Sequence, residues 1–493
     1  MIYSDTFFQF GNGTAVRLAD VPEWPVAELV TRTASEITGG CRLSAWFGMP
    51  GEAGTRLVCV LADDTGNTLG VARSTPVRGA VPSLTLHAPE AHLFEREVWE
   101  NFAIVPEGHP WLKPVRRDHG KGPAAGDFFT VKGSEVHEVA VGPVHAGIIE
   151  PGHFRFQCAG EEVVHLEIAL GYQHRGIEAA LAGGPHRSTA TQMETASGDS
   201  TIAHTTAHAL VTEALGQAEA PLRAQWLRAI ALELERLANH TGDLGALAND
   251  VAFIPTSSAC GKLRGDFLNL TAVLCGNRFG RGLVRTGGVR HDLEPARVTK
   301  VLEGLKKVLP DVERAAEWLW DASSVRARFE RTGSVSEGTA ASIGLVGPAA
   351  RASGLVRDVR FDHPAGWSRF AQIPVAVWPG GDVFARARVR WLEIQRSGSF
   401  LQEQLAAAPE GPVMETVQAP APDSLAVALV EGWRGETCHV AITDSSGRFA
   451  HYKIVDPSFH NWTGLAMALR GQAISDFPIC NKSFNLSYCG FDL

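Results

Sequence analysis

Short apolar runs separated by turn residues, such as Leu57-Val58-Cys59-Val60-Leu61, fill residues 1 to about 115 and predict the strands of a small α+β unit. The segment Arg116-Arg117-Asp118-His119-Gly120-Lys121-Gly122-Pro123-Ala124-Ala125-Gly126 is rich in Gly, Pro and charge and reads as a linker. Val139-Ala140-Val141-Gly142-Pro143 predicts a strand and hairpin, and helical periodicity dominates from there on. Pro221 opens a long helix at a tolerated first-turn position. Within it Trp226, Ile230, Leu234 and Leu237 recur at helical spacing as one buried stripe, with Arg228, Glu235 and Arg236 falling partly off it. A Pro- and Ala-rich stretch at 407–423 predicts a surface loop ahead of a final small sheet. The pattern thus divides the chain into an N-terminal unit 1–118, a linker 119–136 and a larger, predominantly helical unit 137–493 with peripheral β-sheet, an α+β protein.

Composition narrows the function classes. The 493 residues carry a formal net charge of -9, so nothing supplies the basic footprint that a phosphate backbone requires, and nucleic acid is set aside as a partner. No run of 18 or more uncharged apolar residues occurs, and Met1-Ile2-Tyr3-Ser4-Asp5 lacks the basic and apolar regions of a secretory signal. The eight cysteines are scattered with no Cys-x-x-Cys pair, which points to reduced thiols in the cytoplasm, with Cys480 and Cys489 expected to be structural. There is no Walker loop, and no Gly-x-Gly-x-x-Gly lies between a strand and a helix, so NADH binding by this chain is not expected.

Two segments carry a family resemblance: Gly142-Pro143-Val144-His145-Ala146-Gly147-Ile148-Ile149-Glu150-Pro151-Gly152-His153-Phe154-Arg155-Phe156, and Gly171-Tyr172-Gln173-His174-Arg175-Gly176-Ile177-Glu178. They resemble the large subunit of the membrane-bound, energy-converting (group 4, formate hydrogenlyase-type) NiFe hydrogenases and the D subunit of respiratory complex I. Gly276-Asn277-Arg278-Phe279, Arg285-Thr286-Gly287-Gly288-Val289, Gly347-Pro348-Ala349-Ala350-Arg351 and Gly381-Asp382-Val383-Phe384 extend the resemblance in order toward the C-terminus. Upstream, Phe94-Glu95-Arg96-Glu97-Val98-Trp99-Glu100-Asn101-Phe102 followed by Glu107-Gly108-His109-Pro110 looks like the complex I C subunit (30 kDa-type). Read from its residues alone, this is an acidic, aromatic helix suited to docking, and a solvated helix accounts for it equally. The resemblance implies a fused C–D plan, with a C-like docking domain ahead of a hydrogenase-large-subunit-like domain.

A nickel–iron centre in such a scaffold needs four thiolates, because soft sulfur donors hold nickel and bridge it to iron, whereas a hydroxyl is a hard, weak ligand. By the family's spacing the first pair falls at Ser197 and Ser200, ahead of His204, and the second at Ser487 and Gly490, with Cys489 the remnant if the register slips by one. The resemblance therefore implies a scaffold without its nickel. Complex I places a quinone head group in the corresponding cavity, but its Tyr falls at Gly198 here. Its loop histidines fall at His145 and near Ile149, so quinone is allowed without residue-by-residue support.

Polar groups of the cavity remain. Glu150 resembles the glutamate that passes protons in the hydrogenases, although a turn glutamate on the surface fits the same residues. Arg434 resembles the arginine lying over the metal ligands, and its planar donors would equally serve a carboxylate partner. His204 and His208, four apart, face one side of a helix and suit a proton relay, a metal or a hydrogen-bonded core. Asp456, before the Pro457-Ser458-Phe459 turn, is a candidate proton carrier, and Asp199 sits inside the former ligand loop. Together these predict a pocket suited to protons. The implied protein is a component of a membrane-bound oxidoreductase at the cytoplasmic face of the cell membrane, peripheral through its partners. Those partners are an iron–sulfur small subunit with a 4Fe-4S cluster, resembling the B subunit of complex I, a ferredoxin-like subunit and antiporter-like membrane subunits. A quinone-binding redox subunit, a non-catalytic scaffold and a genuine hydrogenase large subunit are the alternatives.

Overall fold

The run Leu57–Leu61 lies in the strand Gly54–Asp63, and all five side chains are at most 1% exposed. Burial of both faces is why the run is continuous where a half-exposed strand would alternate. In the computed structural model, which describes residues 6–118, 122–123, 128–144 and 149–493, this strand pairs antiparallel with Arg42–Gly51 and Thr68–Ser74. Phe8–Phe10 and Glu23–Trp24 complete a five-stranded sheet, against which the helices Val26–Thr38 and His92–Phe102 pack. Thr14–Arg17 leaves this unit and pairs with Ser424–Gly432, becoming the edge strand of a sheet otherwise built from Gly435–Thr443 and Phe449–Val455.

The remainder is an α+β assembly in which helices predominate. Val136–Val141, His153–Ala159 and Glu162–Ala169 form an antiparallel sheet, and Leu222–Asp250 runs through the centre against Ile254–Cys275 and Val383–Ala406. Pro221 occupies the N-cap, one residue ahead of the first-turn position expected from the sequence. The expected apolar stripe of this helix is buried, but so are Arg228, Glu235 and Arg236, at 7% exposure or less. Other elements bring partners to them: Glu213 to Arg228, Glu393 to Arg236, and the Ile202 N–H to Glu235. The helix is therefore enclosed on all sides.

The acidic helix His92–Phe102 is likewise buried, which corrects the solvated alternative. The Glu95 carboxylate accepts hydrogen bonds from Ser83 and from the backbone and hydroxyl of Thr85, and Glu100 accepts from the N–H groups of Val115 and Arg116. Glu97 pairs with Arg116 and with Lys453 of the C-terminal sheet, and Arg116 also donates to the Phe491 carbonyl. Burial opposes ionisation of Glu97, but Lys453 and Arg116 outweigh it and bring its carboxyl down to about 2. The two units are thus stapled by buried charges. Removing one charge of such a cluster leaves the others uncompensated, so Glu97→Gln should lower unfolding stability by about 3–5 kcal/mol. Urea unfolding checks this; a loss below about 1 kcal/mol would mean that the cluster does not join the units.

Candidate functional site

Three loops converge on one place. Ser197-Gly198-Asp199-Ser200 links the helices Thr189–Ala196 and Thr201–Leu215, and Ser487 caps the C-terminal helix Tyr488–Asp492 by accepting from the Gly490 N–H at 2.9 Å. Trp433-Arg434 is the two-residue tip of the hairpin formed by Ser424–Gly432 and Gly435–Thr443. At the tip Gly435 has φ +129° and passes so close to Gly347 that a Cβ would meet its backbone at 2.8 Å, so only glycine allows the approach.

The Ser197 hydroxyl donates to Ser487 Oγ at 2.9 Å, joining loops 290 residues apart. Arg434 grips Asp199 with two parallel bonds, Nη1 to Oδ1 at 2.5 Å and Nη2 to Oδ2 at 2.8 Å, while its Nε donates to the Asn485 carbonyl at 2.6 Å. Its guanidinium carbon lies 3.8 Å above the Trp433 ring. The Asp199 carbonyl accepts from both Trp433 Nε1 and Asn239 Nδ2 at 2.9 Å. A forked, charge-assisted pair with its backbone also held is a rigid element. Both carboxylate oxygens of Asp199 are engaged by the arginine.

This clamp stands at the edge of a cavity of about 630 Å³ lined by Glu150, Gln173, His174, Asp199, Ser487 and Cys489, among others. Glu150, half-buried, accepts from the Tyr488 N–H at 3.2 Å. The Cys489 thiol lies 3.4 Å from Ser487 Oγ, and burial together with the Glu150 charge pushes it up to about 11, which keeps it protonated at neutral pH. Gly490 faces away from the cavity: a Cβ there would come within 2.6 Å of the Asp456 carboxylate.

Behind Ser487 lies a fully enclosed layer. Asp456 caps the helix Pro457–Ala468 through the Ser458 N–H and accepts from His204 Nε2 at 3.0 Å. Burial opposes ionisation of Asp456, but His204, Arg434 and the Ser458 side chain outweigh it and hold its carboxyl below the usual range. His204 Nδ1 is 3.1 Å from His439 Nε2, and Tyr452 bridges His439 Nδ1 and His208 Nδ1 at 2.9 Å each. Beside the clamp, Glu235 accepts from the Ile202 N–H at 2.8 Å; burial and the nearby Asp199 push its carboxyl up to about 8.

Of the residues singled out from the sequence, Glu150 and Asp199 line the cavity, Arg434 holds Asp199 at its edge, and Asp456 and His204 meet behind it. His208 reaches them only through Tyr452 and His439. Ser200 lies 3.4 Å from Arg434 Nη1, and His145 falls outside the described residues. Three participants escaped the sequence reading: His439, Tyr452 and Glu235. The strand alternation that points His439 and Tyr452 inward gives no clue to their partners, and Glu235 is marked only by the leucines around it.

Known proteins share much of this sequence. Residues 250–423 match the family described as the 49 Kd subunit of respiratory-chain NADH dehydrogenase, and residues 32–128 match that of its 30 Kd subunit. The carbon monoxide-induced hydrogenase of Rhodospirillum rubrum is 30% identical over 350 residues, covering 71% of this chain and 97% of that one. Formate hydrogenlyase subunit 5 of Escherichia coli is 28% identical over 433 residues, 83% of this chain and 76% of that one. A chain from the structure of the membrane-bound sulfane sulfur reductase, an archaeal respiratory membrane complex, superimposes with a TM-score of 0.66 at 24% identity, covering 73% of this chain and 99% of that chain, and shares the fold. The chain belongs to the family of complex I 30 kDa and 49 kDa subunits, here fused, related to the large subunits of energy-converting hydrogenases. Its relatives are subunits of oxidoreductases.

The raised Glu235 carboxyl has a thermodynamic consequence. The native chain retains a proton that the unfolded chain loses above about 4.5, so this group costs stability progressively as pH rises from about 4.5 through about 8. Glu235→Gln should remove that loss, and its unfolding free energy relative to the parent should rise across the window. A difference that does not vary with pH would contradict the assignment.

Proposed function

We propose that the chain is the cavity-bearing subunit of a membrane-bound oxidoreductase complex of the complex I and energy-converting hydrogenase type, without a nickel–iron centre of its own. In this reading its cavity couples electron transfer on a partner to proton or ion movement. Family membership supports the assembly. Among the described residues no helix is long and apolar enough to cross a membrane. In this reading attachment is through partner subunits at the cytoplasmic face. Electrons would arrive from a 4Fe-4S cluster on an iron–sulfur small subunit like the B subunit of complex I, fed through a ferredoxin-like subunit, with antiporter-like subunits moving the ion.

The observation that carries the reading is the pair of contacts where relatives would hold metal: Ser197 to Ser487, and Asp199 clamped by Arg434. The donor set does not suit nickel. Hydroxyls are hard, weak ligands, a single thiol, Cys489, stands beside them where four would be needed, and a Cys at 490 would collide with the Asp456 carboxylate. What the site offers is a half-buried carboxylate, Glu150, opening on the cavity, with a fixed ion pair at its edge. That arrangement suits proton transfer.

A quinone or similar acceptor head group is the second reading, favoured by a cavity of about 630 Å³, within the usual range for small-molecule sites. Saturable protection of Cys489 from a thiol reagent by a quinone analogue would support it, and no protection would remove it.

Elemental analysis of the complex purified through this chain should give nickel far below one per copy, and Glu150→Gln should lower turnover by about 10²-fold or more with assembly intact. Nickel near one per copy, or unchanged turnover in the variant, would overturn the reading.

A further inference from the structure

Beyond the cavity, the enclosed polar residues form a single file. From one end to the other it runs His208, Tyr452, His439, His204 and Asp456, with links of 2.9, 2.9, 3.1 and 3.0 Å. Every interior member is a group that both donates and accepts, so the file is continuous for protons. His204, His439, Tyr452 and Asp456 are at most 1% exposed, whereas His208 is 6% exposed, which makes His208 the outward end. The inward end, Asp456, lies against Gly490 and, through Ser458, against Ser487 of the cavity wall.

The hydrogen-bond chemistry gives this file a direction. An ionised Asp456 only accepts, so His204 must present Nε2–H to it. A neutral His204 then has a bare Nδ1 that accepts from Nε2–H of His439. The bare Nδ1 of His439 accepts from the Tyr452 hydroxyl, whose oxygen accepts from Nδ1–H of His208. With Asp456 ionised and the imidazoles neutral, every proton therefore points toward the carboxylate, and no other arrangement satisfies all four bonds.

We propose that these five residues are a directional proton conduit that delivers protons from the His208 face of the protein to Asp456 behind the cavity. The steps balance. A proton enters at Nε2 of His208, and its Nδ1 proton passes to the Tyr452 oxygen. The phenolic proton moves to Nδ1 of His439, whose Nε2 proton moves to Nδ1 of His204, whose Nε2 proton moves to Oδ2 of Asp456. Each interior group ends with the proton count it began with, every bond is reversed, and one proton has been gained at Asp456. Burial supports neutral His439 and His208: with its two histidine neighbours it keeps His439 far below the ordinary imidazole range, and alone it brings His208 down to about 4. Burial also holds the Tyr452 phenol well above its usual range. The conduit rests on the proton-handling reading of the cavity for its purpose, but its polarity is a property of the isolated chain.

Nitrogen-15 NMR of the full chain labelled at histidine, at mildly alkaline pH, reads that polarity directly. The expected tautomers are Nε2–H for His204 and His439 and Nδ1–H for His208. His439 bearing its proton on Nδ1, or His208 on Nε2, would overturn the arrangement. In the purified complex Tyr452→Phe keeps the ring and removes the shared hydroxyl. Turnover should fall at least about tenfold with KM unchanged and a larger solvent deuterium isotope effect. Unchanged turnover in an assembled Tyr452→Phe complex overturns the conduit whatever the tautomers are. If Glu150→Gln is then still impaired, the cavity reading survives alone; if neither variant is impaired, both fall.

Discussion

Arg236 holds the site together. Fully buried in the central helix, it donates to the carbonyls of Glu431 and Gly432, the last two residues before the hairpin tip that carries Trp433 and Arg434. A guanidinium in such surroundings is tolerable only with its charge compensated, and the compensation extends outward. Arg236 pairs with Glu233 and Glu393, Glu393 with Arg351, Arg351 with Glu431 and Asp358, and Arg360 with Asp358 and Glu233. Four carboxyls thus face three guanidiniums. Burial and the neighbouring Asp358 push the Glu431 carboxyl up to about 7, where it can take a proton and relieve the imbalance. The direction of the Arg434 clamp is therefore set by a charge lattice that spans the central helix, the helix Val383–Ala406 and the final sheet.

A second strand of the same lattice reaches the clamp from the other side. Arg390 pairs with Asp243, Asp243 accepts from Asn485, and the Asn485 carbonyl accepts from Arg434. Asn485 itself ends the helix Phe477–Phe484 with φ 45°, a left-handed position that asparagine tolerates and that turns the chain toward Ser487. The loops that carry Asp199, Arg434 and Ser487 are hence fixed by ion pairs and caps, with the cavity on one face and the enclosed file of polar residues on the other. Electrostatic rigidity of this kind is what proton handling requires, because a carboxylate held in place transfers a proton without first reorganising its surroundings.

Much of this was legible in the sequence. The apolar run at 57–61 and the stripe from Trp226 to Leu237 pointed to the α+β plan, and the family resemblance carried by the glycine-bearing segments located the serines and Asp199 ahead of His204. Arg434 was legible with its two candidate partner types, and the carboxylate is the one present. The failures share a physical cause. Arg228, Glu235 and Arg236 look like a polar face because local periodicity cannot reveal that Glu213, Glu393 and the Ile202 N–H arrive from elsewhere to pair with them. His439 lies 235 residues from His204, and only the packing of the final sheet on the helix Thr201–Leu215 brings them together. The acidic helix at 92–102 reads as solvated for the same reason: its countercharges, Arg116 and Lys453, lie on other elements.

The Asp199–Arg434 ion pair holds the place between these loops. A double-mutant cycle on Asp199→Asn and Arg434→Gln, followed by urea unfolding of the full chain, measures that directly. A coupling energy of about 1–3 kcal/mol is expected, the double variant being less destabilised than the two single losses summed. Strict additivity would show that the two side chains do not depend on each other and that the loops are held without this pair.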